Sequence, residues 1–210
     1  MTLRKKILKG GNLERVSRFH TLRGQRIPTS EIFTIPFELL LRIFNIQRKG
    51  PWISKPAIRL MSYLISENQP TRILEIGGGR SSKYFSEKAA SLVTIEEDQN
   101  WASRIAKLVT NKKCKFEIQV TNVELWLKTR DKTNMNFDIV FIDGSTDEVR
   151  RLAIENLPSL NENATYILDN SDRQVFENLK FALEPTKIIR KHGLVRHPFQ
   201  ATETTFYWFQ

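Results

Sequence analysis

The chain has 210 residues, 40% of them hydrophobic, and a formal net charge of +10. This length suits one domain with a terminal extension, and the apolar content is enough for a sizeable core. The single cysteine, Cys114, excludes an internal disulfide, and no apolar run reaches the roughly 18 residues that a membrane-spanning helix needs. Because the basic N-terminus lacks the apolar core of a signal peptide, we expect a soluble, cytoplasmic protein.

The positive charge is concentrated at the N-terminus. Residues 1–30 contain eight basic residues and one acidic residue, whereas residues 51–210 are nearly neutral, with 22 basic and 20 acidic residues. We therefore divide the chain into a basic tail and helix at 1–50 and a folded domain at 51–210. A basic arm can contact nucleic acid, an anionic surface or an acidic partner. A solubilising tail without a specific partner fits the composition equally well.

Two helices are predicted before the first strand. The first, at 36–48, carries apolar residues at the spacing of one helix face, namely Phe37, Leu40, Leu41 and Phe44. Such a face packs in a core or against another subunit, so a homodimer contact is one interpretation. Gly50 and Pro51 interrupt this segment. The second helix is predicted at 54–67, with Ser54 as its cap and Pro56 in its first turn.

From Thr71 onwards, strand-like and helix-like segments alternate. Strands are predicted at 71–76, 92–96, 115–120, 137–142 and 164–169, and helices at 81–89, 98–110, 122–130, 145–157 and 171–183. This alternation predicts β-α-β crossovers and a parallel sheet with helices on both faces. Two further strand-like runs, 187–190 and 204–209, predict a terminal antiparallel hairpin. The expected fold is α/β: a doubly wound, mostly parallel seven-stranded sheet with an antiparallel C-terminal hairpin and a helical N-terminal extension.

The most informative motif follows the first predicted strand. Residues 74–82 read Leu-Glu-Ile-Gly-Gly-Gly-Arg-Ser-Ser, and Glu96 ends the second strand nineteen residues after Gly77. This layout is typical of a nucleotide-binding β-loop-α-β unit. The glycines let the backbone approach a ligand, and the later carboxylate accepts hydrogen bonds from ribose hydroxyls. The alternative is an ordinary strand-to-helix turn.

The details of the loop favour one nucleotide over another. A dinucleotide fingerprint would place a third glycine where this chain has Ser82, and Glu75 would repel a pyrophosphate. A cationic ligand such as S-adenosylmethionine suits Glu75 better than NAD does. The motif resembles the first motif of the class I methyltransferases, acidic-x-Gly-x-Gly, and the resemblance extends over about residues 50–210.

This resemblance implies a S-adenosylmethionine site at the ends of the strands. Glu96 would bind the ribose. Trp101 would line the adenine pocket, or else anchor its helix on the sheet. Asn122 would bind the adenine amino group, or else cap the following helix. The implied cofactor-binding residues are Glu75, Gly77, Gly78, Gly79, Ser81, Glu96, Trp101, Asn122 and Asp143.

The resemblance also implies a divalent metal as a candidate cofactor. Asp143 matches the acid that lies beside the methyl donor in related enzymes. In catechol-type O-methyltransferases an Asp after the fourth strand and an Asp-Asn pair after the fifth hold the ion, and Asp143, Asp169 and Asn170 match those positions. Their oxygen atoms suit Mg²⁺, which would hold the acceptor oxygen and lower its pKa. The alternative is that Asp169 and Asn170 cap the next helix.

The general base is the next residue to be assigned from the sequence. Thr146 stands where related enzymes often carry Lys or His, so the base must come from elsewhere. Histidine titrates near neutral pH, and His192 and His197 are expected in the connection between the last two strands. We take His192 and Asp143 as the catalytic candidates.

Three functions are compatible with these residues. The first is a methyltransferase that acts on an oxygen of a small molecule or glycan. The second is a nucleic-acid methyltransferase, which the basic arm favours, although Asp143-Gly-Ser-Thr146 lacks the two prolines of the enzymes that methylate base amino groups. The third is a non-catalytic cofactor-binding module that is anchored through its basic N-terminal arm. The intact acidic residues Glu75, Glu96 and Asp143 argue against the third.

Overall fold

The computed structural model describes residues 16–36, 40, 50–129, 136–195 and 199–210. The helices and strands in these ranges are α1 (Thr29–Ile32), α2 (Lys55–Glu67), β1 (Arg72–Ile76), α3 (Arg80–Ser86), β2 (Ser91–Glu96), α4 (Gln99–Leu108), β3 (Lys115–Val120), α5 (Val123–Thr129), β4 (Ile139–Ile142), α6 (Asp147–Asn156), β5 (Thr165–Asp169), β6 (Lys187–Val195) and β7 (Gln200–Trp208). Short 3-10 turns lie at Leu157–Ser159 and Gln174–Phe176.

The strands form one seven-stranded sheet in the order β3-β2-β1-β4-β5-β7-β6. Strands β1 to β5 are parallel, while β7 is antiparallel to both β5 and β6. The predicted fold class is therefore confirmed. The chain changes direction across the sheet between β1 and β4, and in open α/β sheets ligands bind beyond the carboxyl ends of the strands at this switch point.

The sheet is covered on both faces, which explains its apolar strands. Leu74 and Ile76 of β1 point into one core cluster, and Ile73 points into the other. All four residues of β4 are buried. Strands that are buried on both faces read as continuous apolar runs rather than alternating patterns, as the sequence shows here. Helix α2 packs on the cluster that contains Ile73, through Ala57, Met61 and Ile65.

The predicted helix at 171–183 is wrong. These residues, all within the described ranges, form one 3-10 turn followed by irregular chain. The backbone N–H of Ala182 donates to the carbonyl of Glu155 at 3.0 Å, and that of Lys180 donates to the Glu155 carboxylate at 2.7 Å. Since these donors bond to α6 instead of to the preceding turn, no helical ladder forms. The helix was predicted from apolar residues that pack on the core at every second position, namely Leu179, Phe181 and Leu183.

Residues 17–31 lie beside the carboxyl ends of β5 and β6 and the beginning of β7. The backbone N–H of Leu22 donates to Asp172 at 2.7 Å, Arg23 pairs with Glu203 at 2.7 Å, and Glu31 accepts from the N–H of Leu194 at 2.5 Å. Arg23, one of the basic residues of the tail, thus forms an ion pair within the protein. A contact of residues 1–30 with an anionic surface, and the domain boundary at residue 50, stay predictions.

The helix predicted at 36–48, with its apolar face and the dimer contact inferred from it, falls largely outside the described residues. The helix predicted at 54–67 is present as α2. Ser54 holds the capping position, but its hydroxyl makes no capping hydrogen bond. No helix within the described ranges is long and apolar enough to span a bilayer.

We expect Tyr166→Phe to lower the free energy of unfolding by about 1 kcal/mol, because one buried hydroxyl serves two acceptors. The Tyr166 hydroxyl donates to the carbonyls of Leu157 at 3.0 Å and Asn161 at 2.7 Å, where the chain turns from α6 into β5. The control is Tyr63→Phe on the outer side of α2, where the side chain is 57% exposed. Urea unfolding of the two variants measures the difference, and equal effects would contradict this assignment.

Candidate cofactor and active site

The residues predicted to form the site meet at the carboxyl edge of the sheet. Ile76 pairs with Ile95 and Ile142, and Ile142 pairs with Leu168, so β1, β2, β4 and β5 end at the same level. The residues that follow these strands are therefore neighbours. Asp169 then pairs with Thr204 of β7, which extends the row of polar side chains.

The three glycines of the loop after β1 have different roles. Gly77 has φ +81°, and a Cβ atom there would lie 2.4 Å from the carbonyl oxygen of Asp143. A Cβ on Gly78 would lie 2.6 Å from the side chain of Ile105. Only at Gly79 would an added Cβ meet open space. Close packing within the protein thus explains Gly77 and Gly78, and Gly79 alone leaves room for a ligand.

Glu75 is a fully buried carboxylate below this loop. Its Oε2 atom accepts hydrogen bonds from the hydroxyls of Ser82 at 2.5 Å and Thr94 at 2.8 Å, and Ser82 accepts from the N–H of Gly79 at 2.9 Å. Burial raises the pKa of Glu75 to about 7, although the hydroxyls of Ser81, Ser82 and Thr94 lower it. Its Oε1 atom is buried without a hydrogen-bond partner. Ser81, also buried, lies in the first turn of α3 beside Ser82. A buried carboxylate oxygen without a partner suits a cationic ligand.

Glu96 is held in place by backbone donors. Its Oε2 accepts from the N–H of Gly78 at 3.1 Å, and its Oε1 accepts from Glu97 at 2.9 Å and Asp98 at 3.0 Å. An ionised carboxylate offers about four acceptor positions, so one remains for a ligand hydroxyl. Glu96 thereby links the loop after β1 with the loop after β2, as a nucleotide site requires.

Trp101 and Asn122 both have structural partners. The Trp101 ring N–H donates to the carbonyl of Gly78 at 2.8 Å, and the residue remains 41% exposed, so the indole covers the glycine loop. Asn122 accepts from the N–H of Leu125 at 2.7 Å and caps α5, which is the alternative role that the sequence left open. Their contacts with an adenine ring stay predictions.

Arg150 is the site residue that sequence reasoning missed. Its guanidinium pairs with Asp143 at 2.6 Å and donates to the carbonyls of Gly144 at 2.7 Å and Asp169 at 3.3 Å. The residue is only 7% exposed. A signal was present in the sequence. Arg150 shares the buried face of α6 and the next turn with Ala153, Ile154 and Leu157, and an arginine in such an apolar stripe requires a buried partner.

Asp143 and Asp169 are adjacent acids with perturbed titration. Burial raises the pKa of both carboxyls, and the negative charge of Asp143 adds to the effect at Asp169. The Arg150 guanidinium opposes the shift at both residues. Asp169 also accepts from Thr204 at 2.7 Å and from the Asn170 amide at 2.9 Å. Acids whose pKa is displaced by burial in this way are concentrated at functional sites.

The residues present do not fit the divalent ion that the resemblance implied. Arg150 is paired with Asp143, and Asn170 directs its N–H towards Asp169. Both carboxylate oxygens of Asp169 already accept hydrogen bonds, from Thr204 and from Asn170. The expectation of Mg²⁺ at Asp143, Asp169 and Asn170 is therefore unsupported.

His192 does not lie where the sequence placed it. It is inside β6, paired with Glu203 of β7, and not in the connection between the two strands. Three strand spacings separate β6 from β4, roughly 14 Å in all, so His192 is not a neighbour of Asp143. His197 lies outside the described residues, and Thr146 caps α6 by accepting from the N–H of Val149 at 3.2 Å.

Substitutions of two loop glycines by alanine should differ in their effect on stability. We expect Gly77→Ala to lower the free energy of unfolding by about 2 kcal/mol or more, because a positive φ and a backbone clash combine. Gly79→Ala should have a much smaller effect on stability, since its Cβ meets open space. Thermal unfolding of both variants is the measurement. A similar loss in both would show that Gly79 is also a packing residue.

Comparisons with solved structures identify proteins of the same fold. The O-methyltransferase TomG from Streptomyces achromogenes, in complex with SAM, aligns with 84% of this chain and 88% of its own at 17% identity and a TM-score of 0.53. An O-methyltransferase from Bacillus cereus, in complex with SAH, aligns over 85% and 91% at 17% identity and a TM-score of 0.53. The cofactor-bound protein Rv0187 from MTB aligns over 84% and 89% at 16% identity and a TM-score of 0.55.

No protein-family model and no curated protein matches the sequence. The structural similarity at this low identity establishes the fold, which is the one expected from the glycine motif and the terminal hairpin. The predicted resemblance to the class I methyltransferases is thus confirmed at the level of architecture.

Proposed function

We propose that the protein is a S-adenosylmethionine-dependent methyltransferase that methylates an oxygen atom of a small-molecule or glycan acceptor. The observation that carries the proposal is the unpartnered Oε1 of Glu75, which lies at the switch point of a methyltransferase fold. Ser82 connects this carboxylate to Gly79, where the backbone faces open space. The combination suits a ligand that brings a positive charge to the loop.

The described residues would hold the cofactor along the edge of the sheet. Glu96 would accept a hydrogen bond from a ribose hydroxyl, and Trp101 would cover the adenine from the side of the glycine loop. Glu75 would face the positively charged methionine portion. When bound, S-adenosylmethionine supplies an activated methyl group. The protein's own contribution is to fix the two substrates in line and to exclude alternative orientations.

Asp143 is the residue that we assign to the acceptor. Its side chain is 33% exposed, and Arg150 holds one of its oxygens. The carboxylate would accept the hydrogen bond, and then the proton, of an acceptor hydroxyl. His192 lies in β6, three strands from β4, and we therefore assign the proton transfer to Asp143 instead. Two observations favour oxygen as the acceptor atom: Asp143-Gly-Ser-Thr146 contains no proline pair, and O-methyltransferases are among the structurally similar proteins.

We expect Glu96→Gln to weaken S-adenosylhomocysteine binding by about tenfold or more, because the single amide oxygen cannot serve both the three backbone donors and a ribose hydroxyl. The matched control is Glu97→Gln at the next residue, which is exposed. Isothermal titration calorimetry measures both affinities, and circular dichroism confirms that both variants are folded. Unchanged affinity in Glu96→Gln would refute the ribose assignment.

The affinity for S-adenosylmethionine should depend on pH through Glu75. The raised pKa of about 7 means that the free protein carries a neutral Glu75 at pH 6 and a charged one at pH 8. A cationic ligand favours the charged form, so affinity should rise with pH and be about tenfold weaker at pH 6 than at pH 8.

The variant Glu75→Gln separates this residue from Asp143 and Asp169, whose pKa values are also raised. We expect the variant to bind more weakly and to lose most of the pH dependence. Calorimetry at pH 6, 7 and 8 gives the comparison. A pH dependence that persists unchanged in the variant would assign the titration to another group.

A further inference from the structure

We propose that Arg150 takes the place of a divalent ion in this site: its guanidinium positions the acidic strand ends, and the protein binds its cofactor without a divalent metal. The inference rests on the proposed function, because it concerns the same site. It differs from the metal-assisted chemistry that the sequence pattern Asp143, Asp169 and Asn170 implies.

The contacts of Arg150 converge on the ends of two neighbouring strands. The guanidinium binds the carboxylate of Asp143 and the carbonyl of Gly144 after β4, and it also binds the carbonyl of Asp169 at the end of β5. A metal ion held by acids after β4 and β5 would perform this same linkage. The planar guanidinium is permanently charged and forms directed hydrogen bonds to oxygen atoms, so it can replace a small cation here.

A divalent ion would have to displace these contacts. Mg²⁺ requires close, nearly octahedral oxygen ligands. One Asp143 oxygen lies 2.6 Å from Arg150, and both Asp169 oxygens already accept hydrogen bonds, from Thr204 and Asn170. An ion bound through the other Asp143 oxygen would lie beside the buried guanidinium and would meet strong repulsion between like charges. Arg150 therefore already supplies a positive charge between the two strand ends.

The start of α6 is built to keep the guanidinium there. Thr146 caps the helix, and the N–H of Arg150 donates to the Thr146 carbonyl at 3.2 Å. A Cβ on Gly144 would lie 2.6 Å from the Val149 side chain, so only glycine lets the helix approach this closely. The positive charge is consequently part of the fold and independent of the metal supply.

Titrations of the wild-type protein test the proposal directly. S-adenosylhomocysteine is titrated in EDTA and in millimolar MgCl₂, and Mn²⁺ alone is titrated with detection by electron paramagnetic resonance. We expect equal affinities in the two buffers, within about twofold, and no stoichiometric Mn²⁺ binding. Tightening of about tenfold by the metal, or Mn²⁺ binding that Asp169→Asn abolishes, would overturn the proposal.

Two variants of Arg150 and one control variant test the guanidinium itself. We expect Arg150→Met to weaken S-adenosylhomocysteine binding by about tenfold. Arg150→Lys should restore part of the loss, since lysine keeps the positive charge but lacks the planar guanidinium that can bind two oxygen atoms at once. Arg151→Met, which alters the neighbouring arginine that pairs with Glu155, is the control and should bind normally. A lower melting temperature with unchanged affinity in both Arg150 variants would show a purely structural role and would contradict the inference.

The outcomes for the two proposals can be distinguished. If wild-type protein fails to bind S-adenosylhomocysteine in both buffers, the methyltransferase proposal fails. The Mn²⁺ titration needs no nucleotide and no variant, so it then decides by itself whether Arg150 excludes a metal.

Discussion

The buried guanidinium of Arg150 holds the carboxyl ends of β4 and β5 together, and the geometry of the whole site depends on that contact. Asp143 is bound by Arg150 on one side, and its carbonyl lies against Gly77 on the other. The glycine loop is therefore positioned by the same short segment that Arg150 fixes. Glu96 then joins this loop to the end of β2. The residues that follow four strands are thereby connected along one edge of the sheet.

The acidic side chains at this edge lower the stability of the free protein when they are ionised, and they favour a positively charged ligand. Burial raises the pKa of Glu75, Asp143 and Asp169, so ionising them in the free protein is unfavourable. Arg150 offsets part of this cost at the two aspartates, whereas Glu75 has only hydroxyl donors. A ligand with a positive charge would supply what Glu75 lacks. Functional sites commonly contain such local conflicts, which a ligand relieves.

Much of the fold was accessible from the sequence because the strands are apolar runs that end in polar residues. The positions of β1 to β5 and the terminal hairpin follow from that pattern, and so do Glu75, Gly77 and Glu96. The helix predicted at 171–183 was wrong because Leu179, Phe181 and Leu183 fit a helical pattern and an extended pattern equally well. Hydrogen bonds from the backbone of Lys180 and Ala182 to Glu155 favour the extended conformation. No local pattern contains that long-range contact.

The active-site errors have a similar origin. Thr204 acts through a partner that is distant in sequence, and Arg150 joins the nearby Asp143 and Gly144 to the more distant Asp169. Residue types alone cannot show which oxygen each one binds. His192 was misplaced because β6 continues to Val195, beyond the predicted end of that strand. The expected Mg²⁺ is unsupported for the same reason: the spacing of Asp143, Asp169 and Asn170 matches a known pattern, but the guanidinium of Arg150 from α6 binds Asp143 and the carbonyl of Asp169.

A crystal structure of the protein with S-adenosylhomocysteine and MgCl₂ would test the cofactor assignment and the role of Arg150 together. We expect the nucleoside between Gly79 and Glu96, with Arg150 still bound to Asp143 and no ion between the two aspartates. A ligand bound away from the glycine loop would contradict the cofactor assignment. An ion coordinated by Asp143 and Asp169, with Arg150 displaced, would contradict the role given to the guanidinium.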